Sequence, residues 1–165
     1  MIDRLFVAVI GSRNSGKSTT WNTLFGREVK TGKQPRTLRL DSDGRSTEVF
    51  LISGSNEEKQ RYAADVLEDI DCRIVLCSVQ YIEDAFNSTW NHIFTEGFAI
   101  YAQWLNPGYD DREHWDRWGL TNILLQHDAV VSIRDGRNGD ERLTYRVEEI
   151  RQYIHGWASA RGLVS

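Results

Sequence analysis

Eight consecutive residues near the start of the chain have the types and the spacing of a site for phosphate groups. They read Gly11-Ser12-Arg13-Asn14-Ser15-Gly16-Lys17-Ser18 and fit the pattern G-x-x-x-x-G-K-[ST] at every position. The two glycines allow backbone angles that a β-carbon would forbid, so that successive N–H groups can turn inward around an anion. The pattern therefore predicts a loop that holds the phosphate tail of a nucleotide.

The residues of this loop have separate expected roles. Lys17 would place a mobile positive charge beside the β and γ phosphates, and it is the principal candidate for a catalytic group. The hydroxyl of Ser18 would be one ligand of a hexacoordinate Mg²⁺. A helix predicted over residues 18–25 would add the positive end of its dipole beneath the phosphates. The residues expected to bind phosphate are Gly11, Asn14, Ser15, Gly16, Lys17, Ser18 and Thr19.

The elements that must position this loop follow from the hydrophobic pattern. Apolar runs of strand length alternate with segments of helical periodicity, which indicates an α/β fold. The predicted strands are residues 5–10, 37–40, 46–52, 73–78, 98–104 and 129–133. The predicted helices are residues 18–25, a face within 57–70, a face within 82–94, residues 115–126 and a last amphipathic helix through Val147, Ile150, Ile154 and Trp157. In the helix at 115–126 we expect Trp115 and Trp118 to face inward.

Length and charge limit the kinds of protein this can be. A chain of 165 residues has the length of one domain, so residues 1–165 are expected to form a single unit. With 40% hydrophobic and 27% charged residues the composition excludes a disordered chain. The net charge of −4 gives no general attraction to nucleic acid or to anionic lipid. The longest strongly apolar run, residues 5–10, is too short to span a membrane, which favours a cytoplasmic location.

The run Gly16-Lys17-Ser18-Thr19-Thr20-Trp21-Asn22-Thr23-Leu24-Phe25-Gly26 resembles the G-K-S-T-x-x-N-x-L-x-G segment of Era-like GTPases. A hairpin follows, with Asp41-Ser42-Asp43-Gly44 as its turn. The chain is therefore similar to the P-loop NTPase superfamily, and most similar to its Era-like and Ras-like GTPases. The resemblance implies a three-layer Ras-like fold, in which a mostly parallel six-stranded sheet has one antiparallel strand, the second, and helices cover both faces. It also implies Mg²⁺-dependent binding of a nucleoside triphosphate.

By the same resemblance, residues 27–37 would form a switch loop whose threonine completes the coordination of Mg²⁺. Thr37 is the first candidate for this ligand, and Thr31 is the alternative; either hydroxyl could also be an ordinary loop residue. A protein partner could bind through switch-like loops at 27–37 and 53–58.

The hydrolysis motif of those GTPases is absent from the expected place. The resemblance implies D-x-x-G after the third strand, but residues 51–57 read Leu-Ile-Ser-Gly-Ser-Asn-Glu. Ser53 would hold a magnesium-bound water only weakly because its hydroxyl carries no charge. Asn56 or Glu57 lies where a water-positioning residue is implied, with a helix cap as the alternative for either. We therefore expect slow hydrolysis, with Asn56 as a second catalytic candidate.

The base-reading motif N-K-x-D is also missing after the fifth strand, where residues 101–107 read Tyr-Ala-Gln-Trp-Leu-Asn-Pro. Candidates for contact with the base are Trp104, which is otherwise a core residue, and Asn106. Asp135, after the sixth strand, is a third candidate and is otherwise a turn residue. Without the motif the sequence does not distinguish ATP from GTP.

Two other classes of protein remain open. A small-molecule or nucleotide kinase could use Asp41 and Asp43 on an acceptor hydroxyl, but a strand follows them at once, which favours a hairpin turn instead. Arginines at 110–117 or 134–139 could serve such a kinase as a lid. The other class is a protein-interaction module that binds nucleotide without hydrolysing it.

Overall fold

The computed structural model describes residues 3–12, 15–53, 67, 71–137 and 139–165. Its strands are β1 (Leu5–Gly11), β2 (Arg36–Arg39), β3 (Ser46–Ile52), β4 (Ile74–Gln80), β5 (Ala99–Leu105) and β6 (Val130–Arg134). Its helices are α1 (Lys17–Phe25), α2 (Glu83–Ala85), α3 (Asn91–Glu96), α4 (Leu120–Gln126) and α5 (Asp140–Ser159), and a π-helical turn (Phe86–Trp90) joins α2 to α3. The predicted helix within 57–70 lies outside the described residues except for Leu67, which is helical and buried.

The six strands form one sheet in the order β2-β3-β4-β1-β5-β6. Strands β2 and β3 pair antiparallel, and the other neighbours pair parallel. The predicted fold class is confirmed: a six-stranded, mostly parallel sheet with an antiparallel second strand. The order has one consequence for the site, because β4 lies between β3 and the central strand β1.

The sheet is covered by helices on both faces, which explains why β1 is apolar at every position. Alternate residues of a strand point to opposite faces. Phe6 packs with Trp90 of the π-helical turn on one face, whereas Val7 lies in the cluster of Trp21 of α1 and Ile150 of α5 on the other. The central strand is therefore fixed from both sides, and its carboxyl end is a rigid starting point for the loop that follows.

The predicted helix at 115–126 is shorter in the structure and begins at Leu120. The carboxylate of Asp116 accepts hydrogen bonds from the amides of Leu120 (2.9 Å) and Thr121 (2.8 Å), so it satisfies the first donors of the helix. Residues before this start do not continue the helical face. The expectation that Trp115 faces inward is therefore wrong: this side chain is 77% exposed.

Within the part of the chain that the structure describes, no helix combines the length and the apolar character needed to cross a bilayer.

Candidate functional site

The loop between β1 and α1 needs both of its glycines. A β-carbon on Gly11 would lie 2.1 Å from the hydroxyl oxygen of Ser15, so the loop folds back on itself at this position. Gly16 has a φ of 102°, in the left-handed region, and a β-carbon there would lie 3.1 Å from the carbonyl oxygen of Gly136. The G-x-x-x-x-G spacing is therefore a steric requirement of this turn. Arg13 and Asn14 lie outside the described residues.

Lys17 is buried, and its ammonium lies against the start of the loop. Its Nζ donates to the carbonyl oxygens of Gly11 (3.1 Å) and Ser12 (2.8 Å), and it lies 3.4 Å from the hydroxyl oxygen of Ser15. These acceptors are neutral oxygen atoms, and they hold the ammonium against the backbone of the loop. The loop therefore places a cationic group where its backbone turns, as a site for an anion requires.

Helix α1 adds its amino-terminal end to the same place. Gly16 at its N-cap makes no side-chain capping bond, and the first turn contains no acidic residue. Ser18 in that turn is exposed, whereas Thr20 is buried and donates its hydroxyl to the carbonyl oxygen of Gly16 at 3.0 Å. The positive end of a nine-residue helix therefore lies beside Lys17.

The loops after β5 and β6 hold the outer side of the phosphate loop. The carbonyl oxygen of Ser15 accepts a hydrogen bond from the amide of Tyr109 at 2.9 Å. Two further glycines make this approach possible, since a β-carbon on Gly108 would lie 3.0 Å from the Ser15 side chain and one on Gly136 would lie 2.6 Å from its carbonyl oxygen. The amide of Gly136 also donates to the carbonyl oxygen of Pro107 at 2.7 Å, which ties the two loops together.

Asn106 holds its own loop in shape. Its side-chain amide donates to the carbonyl oxygen of His114 (2.6 Å), and its side-chain oxygen accepts from the amide of the same residue (2.9 Å). The imidazole of His114 then lies 3.3 Å from the hydroxyl oxygen of Ser12. These two hydrogen bonds use one N–H and one lone pair of the Asn106 amide, and they hold residues 106–114 in position.

The other two candidates for contact with the base, Trp104 and Asp135, also have partners within the protein. Trp104 is 5% exposed and packs against Tyr81, with ring centroids 5.0 Å apart, so the alternative of a core residue is the one the structure shows. Hydrogen bonds from the Arg137 guanidinium lower the pKa of Asp135 to about 2, and Arg142 forms a further ion pair with it. A base could reach this carboxylate only by displacing a guanidinium.

Thr37, the first candidate for the second ligand of Mg²⁺, lies within strand β2. It pairs with Glu48 in the β2–β3 ladder, four residues and about 13 Å before Ile52 at the carboxyl end of β3. Thr31 is instead at that end, where its hydroxyl donates to the carbonyl oxygen of Ser53 at 2.6 Å. The phosphate loop follows the carboxyl end of β1, which runs parallel to β3 with β4 between them. Thr31 therefore lies at the same edge of the sheet as the loop and is the better placed of the two hydroxyls.

The segment expected to carry the hydrolysis motif does not lie beside β1. Ser53 follows β3, and β4 separates that strand from β1. At a spacing of 4.7–4.9 Å between strands, the end of β3 is about 9–10 Å from β1. Ser53 therefore does not occupy the strand end beside the phosphate loop. Asn56 and Glu57 lie outside the described residues.

Gln80 is the last residue of β4, the strand that ends beside the phosphate loop, and the sequence alone did not identify it as a candidate. Gln80 pairs with Gly11 in the parallel ladder of β1 and β4, and the amide of the next residue, Tyr81, donates to the carbonyl oxygen of Gly11 at 3.1 Å. No motif marks Gln80 in the sequence, because its neighbour is set by the order of the strands. It can be found only once β4 is known to lie beside β1.

The Gln80 side chain also belongs to the face of the sheet that carries α1. Ser78, two residues earlier on the same face, accepts a hydrogen bond from the indole of Trp21 in α1 at 2.8 Å. Lys17 lies one helical turn, about 5 Å, before Trp21 along α1. Gln80 lies two residues, about 6–7 Å, after Ser78 along β4. Gln80 therefore lies level with Lys17, at the start of α1.

The two aspartates considered for a kinase form a turn. The carboxylate of Asp41 accepts hydrogen bonds from the amides of Asp43 (3.0 Å) and Arg45 (3.1 Å) at the tip of the β2–β3 hairpin. Arg137, one of the arginines considered for a lid, forms ion pairs with Asp135 and Asp111. These residues thus have structural partners in the described part of the chain, and the hairpin lies at an edge of the sheet away from β1.

The comparison with protein families gives one match. The model of the family described as 50S ribosome-binding GTPase matches residues 6–92, just over half of the 165 residues. The matched range contains the phosphate loop, α1, the β2–β3 hairpin and β4. No match was found to a curated protein or to a solved structure.

Proposed function

The chain belongs to the 50S ribosome-binding GTPase family, and we propose that it binds a nucleoside triphosphate, GTP or ATP, with Mg²⁺ at the loop between β1 and α1 and hydrolyses it slowly. The observation that carries this proposal is the turn itself. Gly11 and Gly16 fit only as glycines, and Lys17 lies against the backbone that they shape. Such a turn can bind an anion without any catalytic group. The proposal of triphosphate binding therefore has stronger support than the proposal of hydrolysis.

Loss of the lysine tests the binding proposal. Lys17→Ala should abolish measurable binding of GTP and ATP in a calorimetric titration while circular dichroism shows an intact fold. Lys33→Ala is the matched control, because Lys33 is an exposed lysine in the loop before β2 and should bind as the unmodified protein does. Equal titration curves for Lys17→Ala and the unmodified protein would refute the proposed function.

Ser18 fits a magnesium ligand, since its hydroxyl is exposed in the first turn of α1 beside Lys17. Mg²⁺ in such sites takes most of its ligands from phosphate oxygens and water, so one protein hydroxyl is sufficient. Bound Mg²⁺ would neutralise charge on the β and γ phosphates. We propose Thr31 as the second hydroxyl. Ser18→Ala should then weaken triphosphate binding in Mg²⁺ and leave binding in excess EDTA unchanged.

Hydrolysis would depend on the positioning of a water molecule near the γ phosphate. Asn56 remains a proposal for that role. The fold supports Gln80 for it, because Gln80 pairs with Gly11 and lies level with Lys17. A glutamine amide can orient an attacking water through hydrogen bonds without acting as a strong base, which is consistent with slow turnover. Phosphate release measured with Mg²⁺, with EDTA and with Lys17→Ala would establish whether hydrolysis occurs at this site.

We propose that the site discriminates weakly between bases. The side chains of Asn106 and Asp135 already have partners, and the Trp104 ring lies in the core. A carboxylate free to recognise guanine is therefore not among the sequence candidates that the structure describes. Competition between GTP and ATP for one labelled triphosphate should give dissociation constants within about tenfold, and a much stronger preference for GTP would contradict weak discrimination.

A protein partner that responds to the nucleotide would meet the loop before β2. This loop is attached to the carboxyl end of β3 through Thr31, which donates to the carbonyl oxygen of Ser53, and through Gly32, whose amide donates to the carbonyl oxygen of Leu51 at 3.3 Å. We propose that a protein partner binds through this segment, residues 27–37, and through residues 53–58, of which only Ser53 is described by the structure. We further propose that residues 1–165 act as one domain, since β1 and α5 pack in the same core cluster. A cytoplasmic location remains a proposal from the sequence.

A further inference from the structure

Arg146, in the first half of α5, is buried with a relative exposure of 2%. One terminal nitrogen of its guanidinium donates to the hydroxyl oxygen of Thr20 in α1. Its Nε and its other terminal nitrogen have no hydrogen-bond partner among the described residues. A guanidinium placed so deeply with so few partners costs free energy, so its position calls for a physical explanation.

The guanidinium lies directly behind the phosphate loop. Its unpartnered terminal nitrogen is 3.6 Å from the point that a β-carbon on Gly16 would occupy. Through Thr20 it also reaches the backbone of the same residue, because the Thr20 hydroxyl donates to the carbonyl oxygen of Gly16 at 3.0 Å. A continuous set of hydrogen bonds therefore runs from α5 through α1 to the second glycine of the loop.

This contact reinforces the direction of an amide that faces the site, because the Gly16 carbonyl oxygen accepts from both the backbone amide of Thr20 (3.1 Å) and its hydroxyl (3.0 Å). The carbonyl of Gly16 and the N–H of Lys17 belong to one planar peptide group and point in opposite directions. When Thr20 holds the carbonyl on the α1 side, the Lys17 N–H must point away from it, into the loop. A hydroxyl that accepts from a guanidinium is polarised and becomes a stronger donor, so Arg146 strengthens the bond that fixes this peptide.

The charge of the guanidinium favours an anion in the same place. Burial lowers the pKa of Arg146 to about 10, so the side chain is still charged at neutral pH. Asp135 is the carboxylate that acts on it electrostatically, and this group is already ion-paired with Arg137 and Arg142. A negative group bound in the loop would offset the cost of keeping this charge away from water.

We propose that Arg146 is a positioning residue of the triphosphate site: it fixes the Gly16–Lys17 peptide through Thr20 and adds positive charge behind the loop. The inference rests on the proposed function, because the ligand is the triphosphate group of the nucleotide. It links the occupancy of the loop to α5, an element outside the matched range of the family. Arg146 itself touches no substrate in this arrangement.

The test compares two arginines of α5 that contact opposite ends of α1. Arg146→Met keeps an unbranched apolar side chain in place of the arginine stem and removes the charge and the hydrogen bond to Thr20. Arg151→Met is the matched control, because Arg151 donates to the carbonyl oxygen of Leu24 at 2.9 Å, near the carboxyl end of α1. Both variants should lower the melting temperature. Only Arg146→Met should weaken the binding of Mg-GTP and of inorganic triphosphate, by about tenfold or more.

Two further variants keep the inference open to refutation if Arg146→Met does not fold. Thr20→Val removes the hydroxyl between Arg146 and Gly16 and should weaken triphosphate binding in the same direction. Arg146→Lys retains the charge and should recover part of the affinity. A merely structural role would leave all of these dissociation constants equal to that of the unmodified protein, and that result would overturn the inference alone. Absence of triphosphate binding by the unmodified protein would overturn the proposed function as well.

Discussion

The amide of Tyr81 donates a hydrogen bond to the carbonyl oxygen of Gly11, which joins the end of β4 to the first residue of the phosphate loop. The same carbonyl oxygen accepts from the ammonium of Lys17. One oxygen atom thus connects the strand end, the loop and the lysine. The residue before Tyr81, Gln80, is placed by this arrangement at the edge of the site, where a water molecule attacking the γ phosphate would have to be oriented.

We predict that Gln80→Ala slows the release of phosphate from Mg-GTP by at least tenfold without changing the dissociation constant for the triphosphate. The reason is that Gln80 would act on the water and not on the phosphates, so its loss should raise only the barrier to hydrolysis. Single-turnover phosphate release and equilibrium titration measure the two quantities separately. Gln152→Ala, an exposed glutamine of α5, is the control. Equal rates for Gln80→Ala and the unmodified protein would show that another group positions the water.

We predict that Gly136→Ala destabilises the protein by about 1–3 kcal/mol and also weakens triphosphate binding. A β-carbon at this position would lie 2.6 Å from the carbonyl oxygen of Ser15, so the phosphate loop must move to admit it. Gly156→Ala provides the matched control, because a β-carbon there meets nothing within 4 Å inside α5. That control should be neutral or more stable by up to about 1 kcal/mol. Urea unfolding and a GTP titration of both variants would check the prediction.

The parts of the site that depend on local backbone shape could be predicted from the sequence. Gly11 and Gly16 are required by turns that their own neighbours form, and the pattern of residues around them names those turns. Gly26 is a similar case, since it ends α1 with a φ of 69°. Asn22 is also required by its local backbone, because its side-chain oxygen accepts a hydrogen bond from the amide of Val29 and holds the loop after α1.

The parts that depend on distant neighbours could not be predicted in this way. Hydrophobic runs show that β3 and β4 are strands, but they carry no information on which of them lies beside β1. For this reason the sequence indicated Ser53, at the end of β3, as the residue near the phosphate loop and gave no sign that Gln80 ends the neighbouring strand. The position of Thr37 depends on a distant neighbour as well, because the register of β2 against β3 places it opposite Glu48. The inward orientation expected for Trp115 is wrong because Asp116 caps a helix that begins at Leu120, later than the hydrophobic periodicity of the sequence suggests.

We predict that the stability contributed by Asp116 is lost in acid. Burial alone would raise the pKa of this carboxyl, but hydrogen bonds from the Tyr81 hydroxyl and from amides at the start of α4 outweigh it and lower the pKa. A group with a lowered pKa stabilises the fold above its unfolded value of 3.8 and loses that effect as the pH falls through the folded value. At pH 7, Asp116→Asn should cost about 1 kcal/mol, and the difference should shrink between about pH 5 and pH 2.

Urea unfolding at a series of pH values measures this dependence. Asp128→Asn is a suitable control, because Asp128 is exposed and has a φ of 59°, a conformation that asparagine adopts equally well. A difference between the unmodified protein and Asp116→Asn that stays constant from pH 7 to pH 2 would mean that the ionised carboxylate contributes nothing beyond its shape.

The two threonines of the switch-like segment give a paired prediction. Thr31→Val should weaken the binding of Mg-GTP by about tenfold or more, because Thr31 lies at the carboxyl end of β3, where its hydroxyl can be turned from the Ser53 carbonyl towards a metal ion. Thr37→Val should have no effect, because Thr37 is exposed in β2 opposite Glu48. Titrations in Mg²⁺ and in EDTA separate a loss of metal coordination from a loss of phosphate contacts, since only the former disappears in EDTA. Should Thr37→Val prove the more damaging variant, the loop before β2 must rearrange on binding, and the register of β2 against β3 would have to change with it.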